Sequence, residues 1–287
     1  MDGNDRKWVL NILTGLFLCN ILAWLAVYQL SQPQFLKVIF FDVGQGDAIF
    51  IETPQRHQIL IDGGPSSAIL EKLGKELPFY DRSLDLIILT HPDYDHISGL
   101  IEVLKKYEVE NILWTGVLID TAEYEEWQKM ISKEGADIFI AQSGQRITAS
   151  GALFDILYPF DNLEGQEIKD TNNSSVILRL VFQKNSFLFA GDVYKSVERK
   201  LLKEGIGVGS NVLKVGHHGS KTSSAEEFIV EVLPEIAVIS VGKDNKYGHP
   251  HQEVLDILER YDIKVLRTDQ LGDIEIVSDG NNLIINN

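Results

Sequence analysis

Four side chains with metal-binding chemistry occur in the short segment 91–96, which reads His-Pro-Asp-Tyr-Asp-His. The segment follows the apolar run 84–90 and precedes a helical pattern of apolar residues over 97–104, which predicts a strand, a loop and then a helix. Alternate residues of an extended loop point to the same side, so His91 and Asp93 can converge on one ion while Asp95 and His96 point toward another. Histidine with carboxylate suits zinc, manganese or iron, and the oxygen donors favour manganese more than an all-histidine site would. The alternative is a polar turn in which an aspartate caps the next helix.

Three loops of similar construction carry six of the seven histidines of the chain. In each case an apolar run ends in a loop with glycine or proline, and the histidines are His91 and His96, His217 and His218, and His249 and His251. A fourth apolar run, 186–190, ends in Gly191 and Asp192. Four strand ends that deliver metal-binding side chains predict one shared site.

Two histidines have simpler interpretations. His251 precedes the predicted helix 252–258, so we expect it to begin that helix rather than bind metal. His57 lies in the polar turn 53–58, where a solvated side chain is expected.

Six motifs in order resemble those of the metallo-β-lactamase superfamily, and in particular those of the hydrolase domain of ComEC-type DNA-uptake proteins. They are the segments 41–47, 60–64, 91–96, 191–192, 216–223 and 247–250. The resemblance covers residues 35–287 and implies a four-layer αββα sandwich of the α/β (α+β) class, with the active site at the edge where the two sheets meet. The chain differs from the common pattern at Asp93, where the family usually has histidine, and at 172–175, where a separate histidine is missing.

The resemblance also implies a hydrolase with two divalent ions, zinc or manganese. The implied metal ligands are His91, Asp93, Asp95, His96, Asp192, His218 and His249. One ion would be held by His91, Asp93 and a histidine of the 217–218 pair, and the second by Asp95, His96 and His249, with Asp192 bridging both. Either histidine of the pair can be the ligand; we assign His218 and leave His217 to the phosphoryl oxygens of the substrate.

The remaining implied roles concern catalysis and substrate binding. Asp62 would orient a metal ligand from behind the site. The predicted catalytic residues are Asp62, Asp95, Asp192 and His217, and the predicted phosphate contacts besides His217 are Asn173, Ser220 and Lys221.

The stretch 8–30 contains no charged residue and predicts a transmembrane helix, because a helix of this length can cross a hydrocarbon core of roughly 30 Å. The predicted division is therefore a tail, anchor and linker over 1–34 and a hydrolase domain over 35–287. A cleaved signal peptide is the alternative, although its apolar region normally has about 7–15 residues. Arg6 and Lys7 precede the apolar run, which favours a cytoplasmic N-terminus and an extracytoplasmic hydrolase. Cys19 is the only cysteine, so no intramolecular disulfide can form.

The formal net charge of −16 opposes nonspecific binding to nucleic acid, which depends mainly on lysine and arginine. Four lysines near the metal motifs, together with two divalent ions, would reverse the charge locally; they are Lys214, Lys221, Lys243 and Lys246. The first hypothesis is a two-metal phosphodiesterase acting on single-stranded DNA or a related phosphodiester, delivered by a separate channel partner. The alternatives are a hydrolase of a lactone, thioester or β-lactam, and a noncatalytic membrane-tethered accessory that binds DNA or a channel partner.

The remaining patterns predict the elements that must position these residues. Apolar runs predict an opening meander over 35–41, 48–52 and 58–61, and further strands near 86, 112 and 138. A hairpin is predicted from 176–182 and 187–190, and a last strand pair on either side of 279–281. The polar segment 161–173 is predicted to be a loop over the site.

Overall fold

The computed structural model describes residues 3–30 and 35–286. Its first helix, α1 (Gly3–Leu30), contains the span Arg6–Tyr28, whose mean hydropathy is 2.0 and whose side chains are exposed. Among the described residues this is the one helix long and apolar enough to cross a membrane. The predicted linker at 31–34 lies outside the described residues.

Fifteen strands form two sheets in the part of the chain that the structure describes. The first eight strands are β1 (Leu36–Phe40), β2 (Ile49–Glu52), β3 (Gln58–Ile61), β4 (Ser83–Ile88), β5 (Glu108–Trp114), β6 (Asp137–Ile140), β7 (Arg146–Ala149) and β8 (Ala152–Tyr158). The other seven are β9 (Ile177–Phe182), β10 (Asn185–Phe189), β11 (Val212–Lys214), β12 (Ile236–Ile239), β13 (Lys264–Arg267), β14 (Ile274–Ser278) and β15 (Leu283–Asn286). One sheet has the strand order β15-β14-β1-β2-β3-β4-β5-β6, and the other has the order β13-β12-β11-β10-β9-β8-β7.

Helices cover the outer faces of both sheets. They are α2 (Ala68–Glu76), α3 (Tyr94–Leu104), α4 (Ala122–Glu134), α5 (Lys195–Lys203), α6 (Glu226–Val232), α7 (Gln252–Arg260) and the short α8 (Thr268–Leu271). The apolar residues of α2, α3 and α4 pack on the first sheet, and those of α5, α6 and α7 pack on the second. A third buried cluster fills the space between the sheets. These layers confirm the predicted αββα sandwich.

Both faces of the central strands are buried, which is why these strands appear in the sequence as continuous apolar runs rather than as alternating ones. In β1, Val38 and Phe40 enter the core between the sheets, whereas Ile39 faces the helices. In β10, Phe187 likewise faces the other sheet and Leu188 faces the helices. Both faces of these central strands therefore need apolar side chains, whereas the edge strands β6, β7 and β15 keep exposed residues.

The parallel strands run so that their carboxyl ends meet at one edge of the sandwich. In the first sheet β3 pairs in parallel with β4, and in the second β10, β11 and β12 are parallel to one another. The segments that follow these strands carry Asp62, His91, Asp192, His218 and His249. The edge of the sandwich thus collects residues that lie far apart in the chain.

The predicted meander, the strands near residues 86, 112 and 138, the hairpin β9–β10 and the last pair β14–β15 are confirmed, with predicted boundaries shifted by at most two residues. The hairpin β7–β8 was not predicted, although it closes one end of the second sheet. The segment 161–173 is largely irregular as expected, but a short turn of 3₁₀ helix begins at Thr171.

Candidate metal centre

Three buried histidines direct unpartnered nitrogen atoms into one space. His91, His96 and His218 are at most 1% exposed, and the Nε2 atom of each has no hydrogen-bond partner. Buried polar atoms without partners are rare, because each forfeits its hydration without compensation. Three of them that point together indicate a space intended for a ligand.

The other ring nitrogen of each histidine, Nδ1, has a hydrogen-bond partner, which fixes the ring orientation. The Nδ1 atoms of His91, His96 and His218 lie 3.1, 2.8 and 2.9 Å from the Thr90 hydroxyl, an Asp62 carboxylate oxygen and the Ser240 carbonyl oxygen, respectively. The carboxylate and the carbonyl can only accept, so His96 and His218 donate from Nδ1–H. The Thr90 hydroxyl donates to Asp62 at 2.6 Å and is free to accept from His91. Each neutral ring therefore presents the lone pair of Nε2, as a metal ligand must.

Asp62 is the residue that connects these rings. It is fully buried and accepts hydrogen bonds from the Thr90 backbone N–H at 2.8 Å, from the Thr90 hydroxyl and from His96. Its carboxylate holds the His96 ring and, through Thr90, the His91 ring. Asp62 thus contacts two of the elements that hold the histidine rings, and its predicted orienting role stays a prediction.

Carboxylate oxygens lie among the Nε2 atoms. Asp192 Oδ2 is 3.3 Å from His218 Nε2 and 3.5 Å from His96 Nε2, and Asp95 Oδ2 is 3.3 Å from His218 Nε2. Among the described residues, four groups have ligand atoms within 4.8 Å of one another: His91, His96 and Asp192; Asp95, His96 and His218; Asp47, Asp192 and His218; and Asp47, Asp62 and His96. Asp192 Oδ2 thus lies within 3.5 Å of two histidine Nε2 atoms, and its bridging of two ions stays a prediction.

Asp93 lies at the edge of this cluster. Its Oδ2 atom is 3.7 Å from His91 Nε2, and its Oδ1 atom accepts a short hydrogen bond from the Thr171 hydroxyl. Burial raises the pKa of Asp93, while the Thr171 hydrogen bond opposes that rise. Thr171 immediately precedes the segment 172–175, where the family's separate histidine is missing, and it orients the aspartate that replaces the other family histidine.

The structure pairs the histidine loops differently from the sequence-based allocation. His218 groups with Asp95 and His96, whereas we expected it beside His91 and Asp93. His249 is half-buried at the mouth of the site, with its ring 5.6 Å from His217 and 6.4 Å from His218, and its buried Nδ1 atom has no partner. No group of close ligand atoms among residues 3–30 and 35–286 includes His249.

Sequence reasoning missed the role of Asp47 and understated that of Lys214. Lys214 is 1% exposed, forms a salt bridge with Asp47, and lies 3.5 Å from Asp192 Oδ1. Because the ammonium group faces Oδ1, the other oxygen of Asp192 is left to face the histidines. The available signal was a lone lysine inside the apolar run 211–215, where a charged side chain needs a buried partner.

The cluster of carboxylates demands positive charge. Burial opposes ionisation of Asp192, but His218, His96 and Lys214 together hold its pKa well below the ordinary value. Burial likewise opposes protonation of His96, yet Asp192, Asp62 and Asp95 raise its pKa well above the ordinary value. The carboxylates therefore favour positive charge in the space between these side chains, and divalent cations would supply it.

His217 is held beside this cluster by a chain of hydroxyl groups. Its Nε2 atom lies 3.9 Å from Asp192 Oδ2, and its Nδ1 atom lies 3.2 Å from the Thr222 hydroxyl. Thr222 is bonded in turn to the Ser220 hydroxyl at 2.9 Å. Burial lowers the pKa of His217, which keeps the ring neutral near pH 7. Ser220, a predicted phosphate contact, thus acts on the His217 ring through Thr222.

The other predicted substrate contacts differ in their availability. Lys221 is exposed, and its backbone N–H lies 3.3 Å from His251 Nδ1. The side chain of Asn173 is engaged within the protein, because its oxygen accepts from the Tyr194 N–H at 3.0 Å and its amide lies 3.5 Å from Asp170. The predicted solvated turn residue His57 pairs with Asp85 at 3.0 Å and remains 44% exposed.

Comparison with known proteins identifies the family. Residues 41–243 match the model of the family described as metallo-beta-lactamase superfamily. The chain belongs to the metallo-β-lactamase superfamily. This membership makes it a metal-dependent hydrolase by fold and by ligand chemistry, since the superfamily arrangement and the histidine and aspartate donors coincide.

Curated relatives include competence proteins. The chain is 35% identical to ComE operon protein 3 of Bacillus subtilis over 281 residues, which cover 92% of this chain and 36% of that protein. It is 32% identical to Competence protein ComA of Neisseria gonorrhoeae over 240 residues, which cover 83% of this chain and 32% of that protein. The chain therefore spans about a third of the length of these relatives.

Solved structures share the fold. The metallo-beta-lactamase fold protein YhfI of Bacillus subtilis has a TM-score of 0.58 at 14% identity, with coverage of 85% of this chain and 99% of YhfI. CmlA, a diiron beta-hydroxylase of Streptomyces venezuelae, has a TM-score of 0.51 at 15% identity, with coverage of 82% of this chain and 53% of CmlA. At this identity the likeness concerns the fold alone.

Proposed function

We propose that this protein is a membrane-anchored, two-metal phosphodiesterase that cleaves single-stranded DNA. The observation that carries the proposal is the set of buried, unpartnered histidine Nε2 atoms around Asp192, beside a loop that presents His217 and Lys221. The first feature supports two divalent ions, and the second supports a substrate with phosphoryl oxygens.

Two ligand sets follow from the spacing of the donor atoms. His91 and Asp93 would hold one ion, Asp95, His96 and His218 would hold the other, and Asp192 would be shared between them. The mixture of nitrogen and carboxylate donors suits zinc or manganese. When bound, such ions would supply Lewis acidity and lower the pKa of a water molecule, so that it attacks near neutral pH.

The protein's own residues would then act on the phosphodiester. His217 and Lys221 would contact phosphoryl oxygens, and the hydroxyl chain from Ser220 through Thr222 would keep the His217 ring in place. Lys214 would stay paired with Asp47 beneath the site, where it maintains the charge of Asp192 without reaching the substrate. The net charge of −16 makes unaided capture of a polyanion poor, which supports delivery of the strand by a separate channel protein.

The choice of DNA and the location rest on the relatives and on α1. Two relatives bear names that refer to competence or to the ComE operon, which supports a role in DNA uptake. The exposed apolar span Arg6–Tyr28 supports a single-pass anchor, and the basic pair at its start supports an extracytoplasmic hydrolase domain.

Cleavage and metal content of the full-length chain in detergent would test the proposal. With Mn²⁺ or Zn²⁺ the protein should bind two ions, cleave single-stranded oligonucleotides and hydrolyse bis-p-nitrophenyl phosphate. Asp192→Ala should lose at least about 100-fold in rate, since it removes the shared ligand, whereas the exposed Asp120→Ala should match the wild type.

Other outcomes redirect the assignment. Two bound metals with turnover of nitrocefin or an acyl lactone, and none of phosphodiesters, would establish a different hydrolysed bond. Fewer than one metal per chain would favour a noncatalytic accessory.

A further inference from the structure

The loop 242–251 carries a tyrosine that the metal chemistry does not use. Tyr247 is 67% exposed, and its ring stacks on His249 with 5.6 Å between ring centroids and 23° between ring planes. The His249 ring contacts the ring of His217, which lies beside Asp192. Tyr247 is therefore two ring contacts away from the residue proposed to meet phosphate.

Hydrogen bonds hold this loop in one conformation. The Asn245 side chain accepts from the His249 N–H at 2.9 Å and donates to the carbonyl oxygens of Gly242 and His249 at 2.9 and 2.8 Å. The backbone of His251 donates to the Gly219 carbonyl at 2.9 Å, which joins the loop to the His217–His218 segment. The tyrosine thus stands on a positioned loop, as a group that binds a ligand must.

Three lysines belong to this loop or to the segment joined to it. Lys221, Lys243 and Lys246 are exposed, and none has a salt bridge among the described ranges 3–30 and 35–286. In a chain of net charge −16, unpaired lysines beside an exposed aromatic ring form a local surface suited to a single strand. Stacking also does not depend on the net charge of the protein, so it suits an acidic protein that binds a polyanion.

We propose that Tyr247 stacks on a nucleobase of the substrate strand, and that Lys243 and Lys246 contact the phosphates on either side of that base. This inference rests on the proposed phosphodiesterase function and names how its site recognises single-stranded nucleic acid. Every base has a π face, so the strand would be bound without strong sequence preference.

The test compares two substrates of equal length, an oligothymidylate and a strand of abasic residues. Both strands carry the same phosphates, so the difference in KM between them measures the contribution of the bases. For the full-length protein in detergent with Mn²⁺, KM should be about tenfold lower for oligothymidylate, which corresponds to about 1.4 kcal/mol. Tyr247→Ala should abolish that difference, and Tyr247→Trp should retain it.

Matched controls separate stacking from general effects. Tyr80 is 73% exposed and precedes β4, at the opposite end of that strand from His91, so Tyr80→Ala should retain the tenfold difference. Lys246→Ala should raise KM on both strands and reduce the slope of log KM against log salt by about 0.7. Lys184→Ala, in the distant β9–β10 turn, should change neither KM nor its salt dependence.

The outcomes distinguish this inference from the proposed function. Cleavage of both strands with equal KM by the wild type, or a preference that survives Tyr247→Ala, would overturn the stacking role and leave the phosphodiesterase intact. Cleavage of neither strand by wild-type protein with two bound metals would overturn the proposed function as well. Metal content of each variant shows that the site is folded.

Discussion

Replacement of Lys214 by methionine should destabilise the metal-free protein far more than the metal-bound protein. The substitution keeps a long side chain in the same buried position but removes the ammonium group that pairs with Asp47 and lies 3.5 Å from Asp192 Oδ1. The carboxylates would then stay buried with one positive partner fewer.

The magnitude follows from the distance and the burial. Two unit charges 3.5 Å apart attract by about 5 kcal/mol at an effective dielectric constant of about 20. Removal of one partner from a buried ion pair typically costs about 3–5 kcal/mol, because the other charge is left without compensation. For a domain of this size that loss lowers the melting temperature by roughly 6–20 °C.

Thermal unfolding of the full-length chain in detergent would measure the effect, in EDTA and in saturating Mn²⁺. Divalent cations neutralise the same carboxylates, so they should bind the variant more tightly than the wild type. In saturating Mn²⁺ the difference in melting temperature between the variant and the wild type should therefore be less than half of its value in EDTA. Lys37→Met is the matched control, because Lys37 pairs with Glu76 at 3.0 Å while both side chains remain 22–26% exposed. Lys37→Met should lose about 1 kcal/mol or less of unfolding free energy, both in EDTA and in Mn²⁺.

Two results would refute this reasoning. If Lys214→Met lost less than about 1 kcal/mol of unfolding free energy in EDTA, Lys214 would not compensate the buried carboxylates. An equal loss with and without Mn²⁺ would mean that Lys214 and the cations do not act on the same charges.

Three further predictions follow from single contacts. Asp62→Asn should weaken metal binding about 10–100-fold by calorimetry, because an amide oxygen that accepts from the Thr90 hydroxyl and His96 leaves an NH₂ group facing the Thr90 backbone N–H, which the other carboxylate oxygen accepts in the wild type; unchanged affinity would count against the orienting role. Burial raises the pKa of Glu198 from 4.5 to about 7, so its protonation stabilises the folded state below pH 4.5 and this contribution is lost as pH rises toward 7. The unfolding free energy of the wild type should therefore fall more steeply over that range than that of Glu198→Gln, and parallel curves would contradict the assignment. Gly46→Ala should lower the melting temperature and the metal content together, because Gly46 has φ +141° and an added Cβ would overlap a backbone oxygen of the metal-binding loop; Gly207→Ala, which meets nothing within 4 Å, should have little effect.

Local pattern was sufficient for much of the fold. The apolar run 84–90 and the helical spacing after residue 96 predicted β4 and α3, because both faces of a buried strand and one face of a helix must be apolar. The hairpin β7–β8 was missed because its first strand alternates between exposed and intermediate residues and carries no long apolar run. Its pairing depends on β9, which packs beside β8 in the sheet.

Local chemistry was likewise sufficient to nominate the donor residues but not to arrange them. Thr90 and Thr171 carried no signal in the sequence, since a threonine becomes significant only when a particular imidazole or carboxylate lies within hydrogen-bond reach. Asn173 was nominated for substrate, but the structure uses its side chain to hold the Tyr194 backbone.

The sequence by itself determined which side chains could bind metal and that they end strands, because residue type and apolar periodicity are local properties. The tertiary structure decided which of them share a space. It placed His218 with Asp95 and His96, left His249 at the mouth, and buried Lys214 against Asp192. Those arrangements depend on the pairing of strands far apart in the chain and on the contact between two sheets, where a shift of a few ångströms decides which donors meet.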